Sequence, residues 1–344
     1  MSASANIGDL SALADLASGT KPVHVICLGL SALDQVWRVD RPFAGGSEKI
    51  KAVEYGTLGG GMAANASVAV AKLGASVAFW GRAGNDAAGH EMKSAFTAEG
   101  VDVENFRLFP DGRSSVSGII VDSSGERQIV NFRGLYPETA DWLPLEAVAR
   151  ASSVLADPRW VEGAATLFRE ARSRGIPTVL DGDMADAEVF ERLLPLADHA
   201  IFSEPALAAF AGSAEDKSLA ALARFGCRVI AVTRGEGGVS WHENGQLHRP
   251  VPPVPASTLT NPANQADDDE GEEHEADEPR LDQHGDIRVV GFLLRLLVRA
   301  PLLEPRRDRR SVRIGADTGD RMLDEDLSRV APDLHAATKG ALRS

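Results

Sequence analysis

Three consecutive glycines, Gly59-Gly60-Gly61, stand directly before Met62-Ala63-Ala64-Asn65, the start of an Ala-rich run. Glycines let a backbone come close to a ligand, and a helix N-terminus favours polar or anionic groups. Asn65, one turn into that helix, is suited to hydrogen-bond a hydroxyl. Taken alone, such a turn is more often only a turn. It is not a Walker loop, since no Gly-Lys-Ser/Thr follows. Its glycine spacing and the lid-type strand before it are not those of a dinucleotide-binding turn either. The chemistry it suggests is capture of a small hydroxylated or anionic ligand.

The elements that must position this turn follow from periodicity. Residues 23–28 form a short β-rich apolar run ending at Gly29, as a buried parallel strand does. Residues 62–73 read as a helix, 76–80 as a strand and 87–98 as a helix ending at Gly100. Further apolar strands are expected at 153–156, 178–180, 199–202 and 228–232, with helical patterns at 162–174, 187–194, 205–211 and 217–225 between them. Alternating strands and helices predict a parallel sheet covered on both faces. Four other segments, 35–39, 50–55, 115–121 and 127–132, alternate apolar and polar, and Asp122-Ser123-Ser124-Gly125 joins the last two as a hairpin. Half-buried strands do not fit a doubly covered sheet. They read as a small separate sheet laid over one end of the main domain as a lid, the alternative being an edge extension of the main sheet.

Composition sets limits. The chain of 344 residues carries a net charge of −14, which argues against nucleic-acid or anionic-membrane partners. The N-terminal residues lack the basic region and long apolar core of a secretory signal, and the longest apolar cluster, 289–298, is interrupted by Arg295. A cytoplasmic protein is expected. Cys27 and Cys227 give neither a disulfide framework nor zinc spacing and read as buried thiols. Residues 258–344 differ in kind: they hold 19 acids, 12 Arg but one Lys, and one aromatic, Phe292. Nine acids fall within 267–278, which predicts disorder there.

In its longer context the stretch from Gly59 through Asn65, Gly74, Gly81, Gly84 and Asp86 to Gly89 is similar to the first signature of the ribokinase-like (PfkB) carbohydrate kinases. Gly29-Leu30-Ser31-Ala32-Leu33-Asp34 resembles the opening strand of these kinases, whose Asp binds sugar hydroxyls. Thr233-Arg234-Gly235-Glu236-Gly237-Gly238 resembles the family's Thr-x-Gly-x-x-Gly turn along the nucleotide phosphates. The segments around Asp157-Pro158-Arg159-Trp160, Asp181-Gly182-Asp183 and Ser203-Glu204-Pro205 look like the bacterial sulfofructose kinase branch.

The resemblance covers roughly residues 22–256. It implies a ribokinase-like α/β fold, a parallel sheet flanked by helices with a small β-sheet lid. The kinase domain would span 22–257 with lid strands at about 35–55 and 115–132, between an N-terminal extension, 1–21, and a divergent, largely disordered tail, 258–344. ATP and Mg²⁺ are the implied cofactors, and the implied reaction is phosphorylation of 6-deoxy-6-sulfofructose at its 1-hydroxyl. Asp34, Gly60, Gly61 and Asn65 would hold sugar hydroxyls, and Lys49, Asn131 and Arg159 the anionic end. Two cations and an amide donor suit a permanent anion, sulfonate or phosphate alike. The ordinary reading of Arg159 is an ion pair with Asp157 or Asp181, and of Lys49 a solvated lid residue. Thr233, Gly235 and Gly238 would line the phosphate path. The family's Asn-x-x-Glu magnesium motif reads Ser203-Glu204-Pro205-Ala206 here, which leaves Glu204 as the metal candidate. Lid strands of this family often pair between subunits, so a homodimer through the lid is the implied assembly.

Transfer to a hydroxyl needs a base near it and donors for the transferred phosphoryl. The family takes both from Asp-Thr-x-Gly-Ala-Gly-Asp, expected just after a strand near 251–255. Here the chain reads Ala256-Ser257-Thr258-Leu259-Thr260-Asn261 and then turns acidic. Gly315-Ala316-Asp317-Thr318-Gly319-Asp320 imitates the motif about sixty residues late and without Gly-Ala-Gly, which makes Asp320 the one candidate base. The alternative function is a sugar-kinase remnant that binds but does not transfer, or a kinase for another sugar or a nucleoside. The abrupt change of composition suggests a replaced C-terminal quarter, for example by a frame shift. Sequencing the coding DNA is expected to find Gly-Ala-Gly-Asp in another frame just after codon 256, and its absence there would overturn that origin.

Overall fold

The computed structural model describes residues 23–42 and 49–248. The expected N-terminal extension, the acidic tail, the strand near 251–255 and Asp320 lie outside the described residues.

Nine strands form the main sheet among the described residues, in the order β13-β12-β11-β10-β9-β8-β1-β4-β5. They are β1 (His24–Gly29), β4 (Ser76–Gly84), β5 (Phe106–Phe109), β8 (Ser153–Ala156), β9 (Thr178–Gly182), β10 (His199–Ser203), β11 (Val229–Thr233), β12 (Val239–Glu243) and β13 (Gln246–His248). All neighbours pair parallel except β11–β12 and β12–β13. β5, β12 and β13 are additions to the sequence reading. They extend the sheet at its two margins, where short strands with partly exposed residues leave little apolar signal.

The strands alternate between two cores, since successive side chains leave opposite faces of a sheet. Ile26, Leu28, Leu180, Phe202 and Ile230 pack into one core with Trp160 and Phe168. Val25, Cys27, Leu155, Val179, Ile201 and Ala231 pack into the other with Phe79 and Phe96. Helices α1 (Met62–Lys72) and α2 (Ala87–Ala98) cover the second face. Helices α3 (Val161–Ser173), α4 (Ala187–Leu193), α5 (Glu204–Ala211) and α6 (Asp216–Leu222) cover the first. This double covering explains why the strands read as continuous apolar runs. Among the described residues no helix is long and apolar enough to cross a membrane.

A second sheet has the order β3-β2-β6-β7, built from β2 (Ala32–Val39), β3 (Ala52–Gly60), β6 (Val116–Val121) and β7 (Arg127–Phe132). It is a separate sheet and not an edge extension. β2 and β3 run longer than their alternating cores, and β3 leads directly into α1. The Asp122–Gly125 turn forms as expected: Gly125 N–H bonds the Asp122 carbonyl at 3.0 Å, and β6 and β7 pair antiparallel.

Two expectations need correction. The opening strand ends at Gly29, so Asp34 stands on the second strand, β2, within the lid sheet. Cys227 is half-buried and not buried; its thiol donates to the Leu194 carbonyl at 3.3 Å, and burial is the main cause that pushes it up to about 12. Cys27 is fully buried, and desolvation pushes its thiol well up, so neither cysteine is a ready nucleophile.

Asp86 joins the two sheets' connections. It caps α2 by accepting from Gly89 N–H at 2.9 Å, and it accepts from Ser114 N–H at 2.8 Å and Ser114 Oγ at 2.6 Å, just before β6. Burial opposes its ionisation, but the bonds from Ser114 and Gly89 prevail and hold the carboxyl below its ordinary value. A group so held adds stability above its unfolded value and loses it as pH falls through the folded one. Asp86→Ala is therefore expected to cost about 2 kcal/mol in urea unfolding at pH 7. That gap should close as the pH falls below about 4.

Candidate functional site

The carboxyl ends of β1, β8, β9, β10 and β11 lie side by side, the edge at which open parallel sheets bind ligands. Their last residues lead into Leu30, Asp157, Asp183, Glu204 and Arg234 in turn. The turn from β3 into α1 meets this edge. Gly61 adopts φ 104°, and a Cβ there would stand 2.3 Å from the Leu30 carbonyl oxygen. Only glycine satisfies both demands. Asn65 N–H bonds the Gly61 carbonyl at 2.9 Å, which seats Asn65 in the first turn of α1.

The lid contributes a row. Asp34 is registered with Ser117, and Ser117 with Asn131, across three neighbouring strands. Asn131 Nδ2 donates to Ser117 Oγ at 3.0 Å, and the Ser117 side chain hydrogen-bonds Asp34. Burial raises the Asp34 carboxyl above its usual range, and the Ser117 bond works against that. Gly60 closes the other side: a Cβ there would lie 2.3 Å from Asp34 Oδ2. Asp34, Gly60, Gly61, Asn65 and Asn131 thus gather where the lid meets the sheet edge.

The expected anion ligands are only partly brought together. Arg159 follows β8 with its side chain one-fifth exposed and Nη2 3.3 Å from Asp183 Oδ2. Its ion-pair partner is Asp183, not the Asp157 or Asp181 expected from sequence; Asp157 accepts from the Arg159 backbone N–H at 2.9 Å instead. Lys49 is exposed and shares a shallow surface depression with Asp40, Arg41 and Lys51. It precedes Ala52, which pairs with Val39, five positions along β2 from Asp34. At about 3.3 Å per residue the Ala52–Val39 pair, three residues after Lys49, lies roughly 17 Å along the strands from the row that holds Asn131.

At the far end of the edge, Thr233 Oγ1 donates to the Phe202 carbonyl at 3.3 Å. Gly235 and Gly238 have φ 53° and 80°, and Arg234 N–H closes the turn on the Gly238 carbonyl at 2.8 Å. A Cβ on Gly235 would meet nothing within 4 Å, so glycine is needed there for its backbone conformation. A glycine turn of this kind, with open space beside Gly235, leaves room for an anion to approach the backbone. Arg234 donates to Glu204 Oε1 at 2.8 Å and to Asp216 Oδ1 at 3.1 Å. Glu204 is thus already paired. Among the described residues no group of three or more His, Cys, Asp or Glu could hold a metal, so any magnesium held by Glu204 would draw its other ligands from water and phosphate.

The sequence reading assigns no role to Ser117, Asp183 or Arg82. Ser117 is hidden as one polar residue of an alternating strand. Arg82 is 5% exposed, lies 4.8 Å from the Tyr136 ring and 4.2 Å from the Trp160 ring, and donates to the Pro137 carbonyl at 2.8 Å. It fastens the segment returning from the lid beside Arg159. An arginine within an apolar strand was the available signal.

A model of the pfkB family carbohydrate kinases matches residues 23–263. The chain is 27% identical to the bifunctional ribokinase/ribose-5-phosphate isomerase A of Fructilactobacillus sanfranciscensis, over 70% of this chain and 46% of that protein. It is 32% identical to a fructokinase of Klebsiella pneumoniae, over 58% of this chain and 72% of that one. It thus spans less than half of the first relative and nearly three-quarters of the second. A crystal structure of a candidate ribokinase from Agrobacterium tumefaciens superposes with TM-score 0.64 at 34% identity, covering 69% of this chain and 79% of that chain. The fold is ribokinase-like.

Ser117→Ala removes the bond that lowers the Asp34 carboxyl. Asp34 is expected to titrate at higher pH in this variant than in the parent, followed by carboxyl carbon NMR, with a stability loss of about 1 kcal/mol.

Proposed function

This chain belongs to the PfkB family of carbohydrate kinases, and from that premise we propose that it is a sugar kinase that binds its acceptor between the lid and the sheet edge and ATP along the Thr233–Gly238 turn. The observation that carries this reading is the packing of Asp34 against Gly60, which joins a hydroxyl-binding carboxylate to the glycine turn. Asp34, the Gly60–Gly61 backbone and Asn65 would orient the sugar. Gly235 and Gly238 would let the phosphates approach, and Thr233 would flank them. Holding both reactants in line is most of what phosphoryl transfer requires of a protein. Mg²⁺ would supply charge neutralisation on the phosphates when bound. The kinase domain is proposed to span 22–257, in a cytoplasmic protein.

The finer proposal is 6-deoxy-6-sulfofructose, phosphorylated at its 1-hydroxyl. Arg159 at the edge and Asn131 in the lid row support an anionic end, and Lys49 would complete it. A homodimer through the lid is supported by exposed apolar residues on its outer strands: Tyr55 at 56%, Ile129 at 59% and Val130 at 78%.

Two observations favour other readings. Asp183 neutralises Arg159 and Lys49 stands apart, as suits an uncharged sugar of the kind named for the fructokinase and ribokinase relatives. The family match ends at residue 263 and no Gly-Ala-Gly-Asp follows, as suits a remnant that binds without transfer. Assay with ATP and, in turn, 6-deoxy-6-sulfofructose, D-fructose and D-ribose separates them. Arg159→Ala is expected to raise KM for the sulfonated sugar at least about tenfold, the worth of one charge-assisted contact, and to leave the uncharged sugars nearly unaffected. Equal effects on all three sugars would sink the sulfonate reading, and turnover of any of them at an ordinary kinase rate would remove the remnant.

A further inference from the structure

We propose that Asp157 is the positioning residue of the sugar site: one buried carboxylate holds the β1–β2 junction, the start of α1 and the backbone of Arg159 in fixed relation. This rests on the sugar-kinase reading above and names a role within it.

Helix α1 begins at Gly61 with no side-chain cap of its own. A helix start leaves backbone N–H groups without intrahelical partners, and burial makes that costly. Asp157 supplies the partner from 94 positions away: its Oδ2 accepts from Ala63 N–H at 3.1 Å. The same oxygen accepts from Leu30 N–H at 2.8 Å, and Oδ1 accepts from Arg159 N–H at 2.9 Å. The residue is 0% exposed. Negative charge at a helix N-terminus is itself favourable.

Space around the carboxylate is reserved for it. A Cβ on Gly29 would fall 2.2 Å from Asp157 Oδ2, so any other residue there would displace the group. The guanidinium of Arg159 turns to Asp183, so Asp157 is not its ion-pair partner. Three backbone donors are the ties that Asp157 makes here. Leu30 lies in the link from β1 to β2, four residues before Asp34, Ala63 lies between Gly61 and Asn65, and Arg159 is the expected anion ligand. Three of the segments that carry proposed sugar ligands therefore meet at this one side chain. Asp157 acts through them, since its oxygens are occupied by backbone amides and shielded from solvent.

Hydrogen–deuterium exchange on Asp157→Asn and Asp157→Ala, full chain and without ligand, tests this. Asparagine keeps one acceptor oxygen and turns the other position into a donor facing a donor; alanine keeps neither. Exchange at Leu30, Ala63 and Arg159 is expected to quicken at least tenfold in Asp157→Ala and less in Asp157→Asn, with β9–β11 unchanged. Gly29→Ala should reproduce the pattern with Asp157 intact. Calorimetry with 6-deoxy-6-sulfofructose and D-fructose should show the sugar Kd at least tenfold weaker in Asp157→Asn, and the ATP Kd within twofold of the parent. Unchanged exchange at those amides, uniform loss of protection across the sheet, or an unaltered sugar Kd in a loosened turn would overturn the proposal. If Asp157→Ala does not fold, Asp157→Asn still decides. Should the parent bind neither sugar, the kinase reading fails by itself, and the exchange pattern still decides whether Asp157 holds the three segments.

Discussion

A polar group removed from water must find its hydrogen bonds inside the chain, and the sheet edge of this protein is organised by that demand. Each parallel strand delivers its chain to a helix start or a turn, where backbone N–H groups lack partners. The sequence meets the demand in three ways. Asp86 caps α2 as its neighbour, and Ser203 caps α5 by accepting from Ala206 N–H at 3.3 Å. For α1 no neighbouring side chain serves, and Asp157 reaches in from the end of β8. Where the cap is local, the helix is merely begun. Where it is remote, beginning the helix also locates it against another strand.

The lid is tied to this edge without slack. β2 pairs with β3 on one side and β6 on the other, so the row Asp34–Ser117–Asn131 is a property of the sheet and not of any one strand. β3 ends at Gly60 and α1 starts at Met62, which leaves one residue between lid and main domain. The returning segment is held by Arg82 between the rings of Tyr136 and Trp160, and Trp160 Nε1 donates to the Glu138 carbonyl at 2.9 Å. A buried guanidinium demands partners for its donors, so this fastening is as specific as a cap.

Charge along the edge is arranged in pairs: Arg159 with Asp183, and Arg234 with Glu204 and Asp216. An incoming anion at either end would compete with these carboxylates, which weakens attraction for any anion that does not also fit the geometry. The same pairing explains why the candidate metal carboxylate, Glu204, and the candidate sulfonate ligand, Arg159, cannot be read as free charges from sequence.

Much of the fold is legible in local pattern. The boundaries of α2, β7 and β8 follow from apolar periodicity and their flanking turns, because burial and helix capping act within a few residues. The glycines at 60 and 61 also announce themselves, since only glycine suits a backbone approached so closely. Pattern is weak where elements are short and margin-placed, as at β5 and β12, and where the chain changes sheets within two residues, as between Gly29 and Ala32. By itself the sequence determined the central strands and most helices, that two patterns of strand are present, and which glycine turns are candidates to receive a ligand. Only the tertiary structure decided that Arg159 pairs with Asp183, that Lys49 stands apart from Asn131, and that Asp157 serves three distant amides. Those outcomes depend on strand order and register, which bring together residues separated by dozens of positions and leave no periodic trace in the chain.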